Sequence, residues 1–285
     1  MKLVRVGQPN QERPGLIDKD GHVRDLSAHM RDIDGANLSP QALAHLRSID
    51  PKSLPEMAPG QRLGPCIARP LNYVCIGLNY ADHAHEAGLP IPKEPIIFLK
   101  ALSAFSGPND DVMIPLGSTK TDWEVELGVV IGTRAKNIPL ERAMDHVAGY
   151  CICNDVSERA FQIERGGQWD KGKGCDTFGP TGPWLVTSDE IPDPQKLDLW
   201  LDVDGQRMQS GNTATMVFSV AEIVSYVSHF ITLHPGDVIS TGTPPGVGMG
   251  HKPEPVYLRP GQVMRLGIAG LGEQIQRTVA YEGAE

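Results

Sequence analysis

The stretch Thr121-Asp122-Trp123-Glu124-Val125-Glu126-Leu127-Gly128-Val129-Val130-Ile131 constrains the fold of this chain more than any other. Apolar and acidic residues alternate with period two, the pattern of a half-buried β-strand. In that geometry Trp123, Val125 and Leu127 face one way, and Asp122, Glu124 and Glu126 face the other. Aligned like charges repel, so a strand face holding only carboxylates needs a reason. One is an exposed strand with a solvated acidic face. The other is a set of partly desolvated carboxylates that raise their pKa values or share a cation. Oxygen-only ligands favour a hard ion such as Mg²⁺, Mn²⁺ or Ca²⁺. On this stretch alone the two readings stand level.

Composition narrows the class. The chain has 285 residues, 40% hydrophobic and 21% charged, enough for a sizeable core. A net charge of −9 without runs of Lys or Arg argues against nucleic acid or an anionic membrane as partner. The first residues lack the apolar core of a signal peptide, and no apolar run approaches the length of a membrane span. The odd count of five cysteines (Cys66, Cys75, Cys151, Cys153 and Cys175) suits free thiols in a reducing cytoplasm. Cys151-Ile152-Cys153 lacks the two-residue spacer of redox and zinc motifs and reads as packing.

Many short apolar runs between Gly- and Pro-rich turns predict a β-rich architecture with long, ordered loops. Residues 1–70 read as a small amino-terminal α+β domain and linker, with strands over 2–6, 13–17 and 22–25. A short helix there has Ser39 as N-cap and Pro40 at its first position. Residues 71–285 read as a larger domain. Buried strands are expected at 74–77, 96–99, 148–153, 184–187, 197–203 and 238–241. Helices are expected from Pro139, from a Ser157 cap to Arg165, and from a Ser219/Glu222 capping box through Ile231. Their irregular order favours α+β over a doubly wound sheet.

Several residues outside the acidic run are candidates for chemistry. Asp155 follows a buried strand, where a carboxylate can project into a cavity or simply cap a turn. Helical spacing across 79–86 sets His83 and Glu86 on one face, either as a surface pair or as a dyad that takes a proton from water. Arg159 and Gln162 share a helix face. Lys173 sits in a Gly-rich run, and Lys100 ends a strand. Near a metal, such cations and amides suit the carboxylate and oxo groups of a small acid, and elsewhere they are solvated surface groups. Lys171 and Arg165 read as surface charges or parts of a mobile lid. In Thr241–Gly248, small residues permit close backbone approach, and Thr243 offers a hydroxyl to an anion. This run is neither a Walker loop nor a dinucleotide fingerprint, and Gly-x-Ser-x-Gly is absent.

Over residues 70–280 the chain resembles the fumarylacetoacetate hydrolase superfamily. The resemblance rests on Gly77-Leu78-Asn79-Tyr80 through Glu86, Glu124-x-Glu126, Asp155 through Gln162, and Thr241–Gly248, in that order. It implies a carboxy-terminal mixed β-roll, a smaller amino-terminal domain and a homodimer. It also implies a divalent ion, Mg²⁺ or Mn²⁺, on Glu124, Glu126 and Asp155, with His83 and Glu86 activating water. Arg159, Gln162, Lys173 and Thr243 match its ligand-contacting positions. Leu78 stands where many members carry Arg. The run Glu164–Asp176 looks like a subgroup acting on 2,4-diketo-3-deoxy sugar acids, and similar sequences are labelled ureidoglycolate lyase. The leading expectation is hydrolysis of a C–C bond in a 2,4-diketo acid. Elimination of urea from ureidoglycolate, isomerisation of a 2-hydroxymuconate-type diene and decarboxylation of an oxaloacetate-like acid are the rivals.

Overall fold

Strand Val125–Ile131 runs through the interior of a ten-stranded mixed sheet. In this computed structural model, residues 1–86, 88 and 90–282 are described. On one side the strand pairs antiparallel with Val147–Asn154, which pairs in turn with Gly179–Thr187. On the other side it pairs with Val238–Ser240, then Tyr73–Gly77, then Ile96–Leu99. The amino-terminal strands Lys2–Val6, Arg13–Ile17 and Val23–Asp25 continue this same sheet, because Lys2 and Leu3 pair with Val186 and Leu185.

A second sheet of five strands is built from Gln206–Asn212, Asp198–Val203, Val263–Ile268, Gly272–Ala280 and Val112–Ile114. Leu199, Leu201, Leu266 and Ile268 of this sheet share one apolar core with Val125, Leu127, Val129 and Ile131. The amphipathic helix Val220–Phe230 adds Ile223, Val224 and Val227 to it. On the opposite face Val130, Cys151 and Cys153 pack with Leu3, Leu16 and Leu26. Added at Gly128, a Cβ would meet the Cys151 and Cys153 sulfurs at 2.7 Å, so this cysteine pair fills space between strands. The architecture is β-rich α+β. No helix among the described residues is long and apolar enough to cross a membrane.

Local signals account for much of this. Ser39 accepts from the Ala42 N–H and caps Pro40–Arg47, and Ser219 with Glu222 forms the expected box. Three expectations need correction. The acidic stretch is not one half-buried strand: Thr121–Asp122 pairs separately with Ser157–Glu158, and pairing resumes at Val125 with both faces covered by a core. Ser157 does not cap a helix, because it lies in that short ribbon; Glu158 caps Arg159–Ile163 instead. The turn after Pro139 is 3₁₀ rather than α-helical, spanning Leu140–His146.

Candidate active site

Register brings the carboxylates together. Glu126 lies opposite Cys153 and Val125 opposite Asn154, so Asp155, one residue on, donates its N–H to the Glu124 carbonyl at 2.9 Å. Glu124 and Glu126 share a strand face because side chains repeat every two residues. One carboxylate oxygen from each of Glu124, Glu126 and Asp155 lies within 4.8 Å of the others, and all three side chains are buried. Asp122, expected on the same face, lies in the short ribbon before the break in pairing and turns away. It accepts from the Gly248 and Met249 N–H groups and from Arg159 Nε at 2.8 Å.

Three cations surround the carboxylates. Arg159 reaches Glu124 Oε1 at 2.7 Å, and its remaining terminal nitrogen donates to Gln162 Oε1 at 3.2 Å. Lys173 Nζ lies 2.6 Å from Glu124 Oε2 and 2.7 Å from Asp155 Oδ2, beneath the face of Phe98. In this arrangement Lys173, expected to meet substrate, is first the counter-ion of two candidate ligands. Lys100, also expected to contact substrate, lies behind the site instead. Its buried ammonium is held by Asp155 Oδ1 and the Val156 carbonyl, so it positions Asp155 and does not line the cleft. Thr243 lines the cleft, but its hydroxyl proton goes to the Val125 carbonyl at 2.9 Å while Gln209 donates to its oxygen. Thr243 therefore ties its loop to the acidic strand, and that proton is not left for an anion.

Four buried carboxylates (Asp122, Glu124, Glu126, Asp155) face three buried cations (Lys100, Arg159, Lys173), leaving one negative charge over when all are ionised. Burial raises the Glu124 pKa, but Lys173 and Arg159 outweigh it and hold the group down to about 2. Glu126 goes the other way. Burial, then Asp155 and Glu124, push it well above 4.5, and among the described residues its only donors are Ser240 Oγ at 2.6 Å and the Gly242 N–H at 2.8 Å, both on Oε2. Such a buried group must hold a proton or a cation. An oxygen-only set with an uncompensated charge fits a hard divalent ion, which would share Glu124 and Asp155 with Lys173 or displace it.

His83 lies at the edge of the same cleft, of about 130 Å³. Helix Ala81–Glu86 turns Glu86 toward His83, with Nδ1 3.3 Å from Oε2. A carboxylate only accepts, so Nδ1 carries the proton and the other ring nitrogen is left as a base. The Gly246 N–H lies 3.1 Å from both Glu86 oxygens. Burial works against it, yet His83 and this N–H lower the Glu86 pKa below its ordinary value. The larger cavity, about 470 Å³, lies elsewhere, beside Arg5, Arg62 and Phe105. Its Arg5 and Arg62 are paired with Glu12, Asp32 and Asp110, and it gathers no ligand cluster among the described residues.

Some contributors escape a reading of motifs. Gln209 accepts from the Val125 N–H and donates to Thr243 and the Pro244 carbonyl, binding three segments that no local pattern links. Trp169 stacks edge-on to Phe98 and covers Gly77, where a Cβ would meet its ring at 2.7 Å. Only its position in the Gly-rich run hints at that.

The family model for the fumarylacetoacetate hydrolase carboxy-terminal domain matches residues 72–279. The chain belongs to this family. A Burkholderia multivorans protein, named provisionally as a hydrolase, is 64% identical over 280 residues, covering 98% of this chain and 99% of that one. The fumarylacetoacetate hydrolase of Exiguobacterium antarcticum superposes with a TM-score of 0.85 at 35% identity, over 99% of this chain and 100% of its own. Maleylpyruvate hydrolase from Sphingobium sp. SYK-6, solved with manganese(II) and pyruvate, gives 0.82 at 27% identity with the same coverage.

Proposed function

We propose that this chain is a divalent-metal-dependent hydrolase that cleaves a C–C bond in a 2,4-diketo acid, releasing pyruvate and a second acid. The observation that carries the reading is the convergence of three buried carboxylates with the His83–Glu86 pair on one cleft. The manganese and pyruvate in the Sphingobium enzyme support it. Glu124, Glu126 and Asp155 would hold the ion, as Mg²⁺ or Mn²⁺. When bound, it supplies Lewis-acid polarisation of the substrate's carboxylate and 2-oxo oxygens.

The chain's own groups do the rest. Glu86 fixes the His83 ring and supports positive charge on it, so the free ring nitrogen takes a proton from water. The hydroxide oxygen bonds to C4. Arg159 occupies the Gln162 carbonyl oxygen, which leaves the amide NH₂ to donate to the oxyanion forming at C4. The C3–C4 bond then breaks, its electron pair passes to C3 as the pyruvate enolate, and a proton returns there. Each oxyanion donor of this kind lowers the barrier by ~3–4 kcal/mol.

The test is product analysis by mass after incubating the Mn²⁺ and Mg²⁺ forms with acylpyruvates, 2,4-diketo-3-deoxy sugar acids and ureidoglycolate. Pyruvate with a second acid supports the reading. Glyoxylate with urea, or a product of unchanged mass, replaces it with lyase or isomerase activity. Glu86→Ala should keep the Mn²⁺-induced rise in melting temperature while kcat falls about 10²–10⁴-fold. Full activity in that variant would remove water activation from the pair.

A further inference from the structure

The cations lining the cleft are committed to its own groups, and the two polar groups left free, the Gln162 NH₂ and the outer His83 nitrogen, are taken up by the reaction itself. Arg159 is shared among Asp122, Glu124 and Gln162, and Lys173 between Glu124 and Asp155. Arg165, which follows the helix Arg159–Ile163, and Lys171, in the helix Asp170–Lys173, do not line it. Arg165 lies over the Phe161 ring at 4.6 Å, and Lys171 donates to the Arg165 carbonyl. With a divalent ion in place the buried cluster would carry one net positive charge, enough for the single carboxylate of an oxo-acid head and no more.

The remaining wall is apolar. Leu78, Phe98, Ile163, Trp169 and Met249 supply it from four separate segments. Ile163 is 50% exposed, an apolar side chain kept at the mouth of a cleft at a cost in solvation. Leu78 is held in the left-handed region, with φ of 51°, where a branched side chain is strained. Trp169 and Phe98 meet edge to face with centroids 5.4 Å apart. A second carboxylate or a row of hydroxyls laid on this wall would lose water without gaining a partner.

We infer that the preferred substrates carry an uncharged, apolar acyl group at the end distal to the oxo-acid, and that Leu78, Phe98, Ile163, Trp169 and Met249 bind it. This rests on the diketo-acid reading and sets aside both dicarboxylic and sugar-derived diketo acids within it.

Calorimetric binding of three 2-oxo acids to the Mn²⁺-loaded protein tests the wall without turnover. From pyruvate to 2-oxohexanoate the affinity should rise by about fourfold for each methylene that is buried. 2-Oxoglutarate, which ends in a carboxylate, should bind at least about tenfold more weakly than 2-oxohexanoate. In Leu78→Arg this order should reverse. Leu78→Asn, whose side chain tolerates the left-handed backbone, should shrink the preference for 2-oxohexanoate and serves if the arginine variant does not fold. If 2-oxoglutarate binds the unmodified protein as tightly as 2-oxohexanoate, the apolar wall is overturned and the oxo-acid site stands. If none of the three binds, the diketo-acid reading falls and takes this inference with it.

Discussion

Glu126 is the residue on which the site's electrostatics turn. No cation among the described residues pairs with it, while Glu124 beside it is held by both Arg159 and Lys173. Their titrations therefore oppose each other. A carboxyl raised above its ordinary 4.5 binds more protons folded than unfolded, so Glu126 makes the metal-free protein lose stability as pH rises from about that value through its folded pKa. Glu124, held down to about 2, contributes stability above 4.5 that is lost as pH falls toward 2. Urea unfolding in EDTA across this range should show the high-pH decline flatten in Glu126→Gln; an unchanged slope would contradict the assignment. Lys173→Met should cost about 3–5 kcal/mol without metal, because it leaves two buried carboxylates facing each other. Added Mn²⁺ should restore much of that loss, and unfolding with and without the ion measures it. At this scale the sequence made Glu124, Glu126 and Asp155 legible as candidate ligands. It did not reveal that Lys173 and Lys100 would be their counter-ions, since those pairs span 49, 18 and 55 residues.

Among elements, the short helices Arg159–Ile163 and Asp170–Lys173 carry the polar side of the cleft and touch at Gly172. A Cβ there would meet the Glu158 carbonyl oxygen at 2.3 Å and the Gln162 nitrogen at 2.6 Å. Gly172→Ala must therefore push the second helix away and carry Lys173 off its carboxylates. Overpacking of this kind costs about 1–3 kcal/mol. Misplacement by an ångström lowers turnover by up to about 10²-fold, so kcat should fall more than KM rises. An alanine variant with native kcat would show that the two helices are not rigidly coupled. Capping signals were readable here where they are local, as at Ser39 and Ser219. Ser157 misled because its backbone was claimed by pairing with Asp122, a contact made across 35 residues of chain.

Across the whole molecule, the amino-terminal strands cover the edge of Gly179–Thr187 and one face of the central sheet. Removing residues 1–25 would bare that edge together with the apolar surface beneath Leu3 and Leu16, a template for intermolecular pairing. The truncated chain should elute as aggregate in size-exclusion chromatography. A monodisperse and active product would mean that residues 26–285 fold without the amino-terminal strands.

What the sequence determined alone were features written in covalent geometry and near neighbours. The period of two put Glu124 and Glu126 on one face, the period of 3.6 set His83 beside Glu86, and short-range hydrogen bonds placed the caps. Only the tertiary structure decided where the strand broke, which cations entered the cluster, that Thr243 and Lys100 serve as supports, and which wall stayed apolar. Those outcomes depend on register between distant strands and on desolvation of a closed cluster, and neither acts until the chain has folded back on itself.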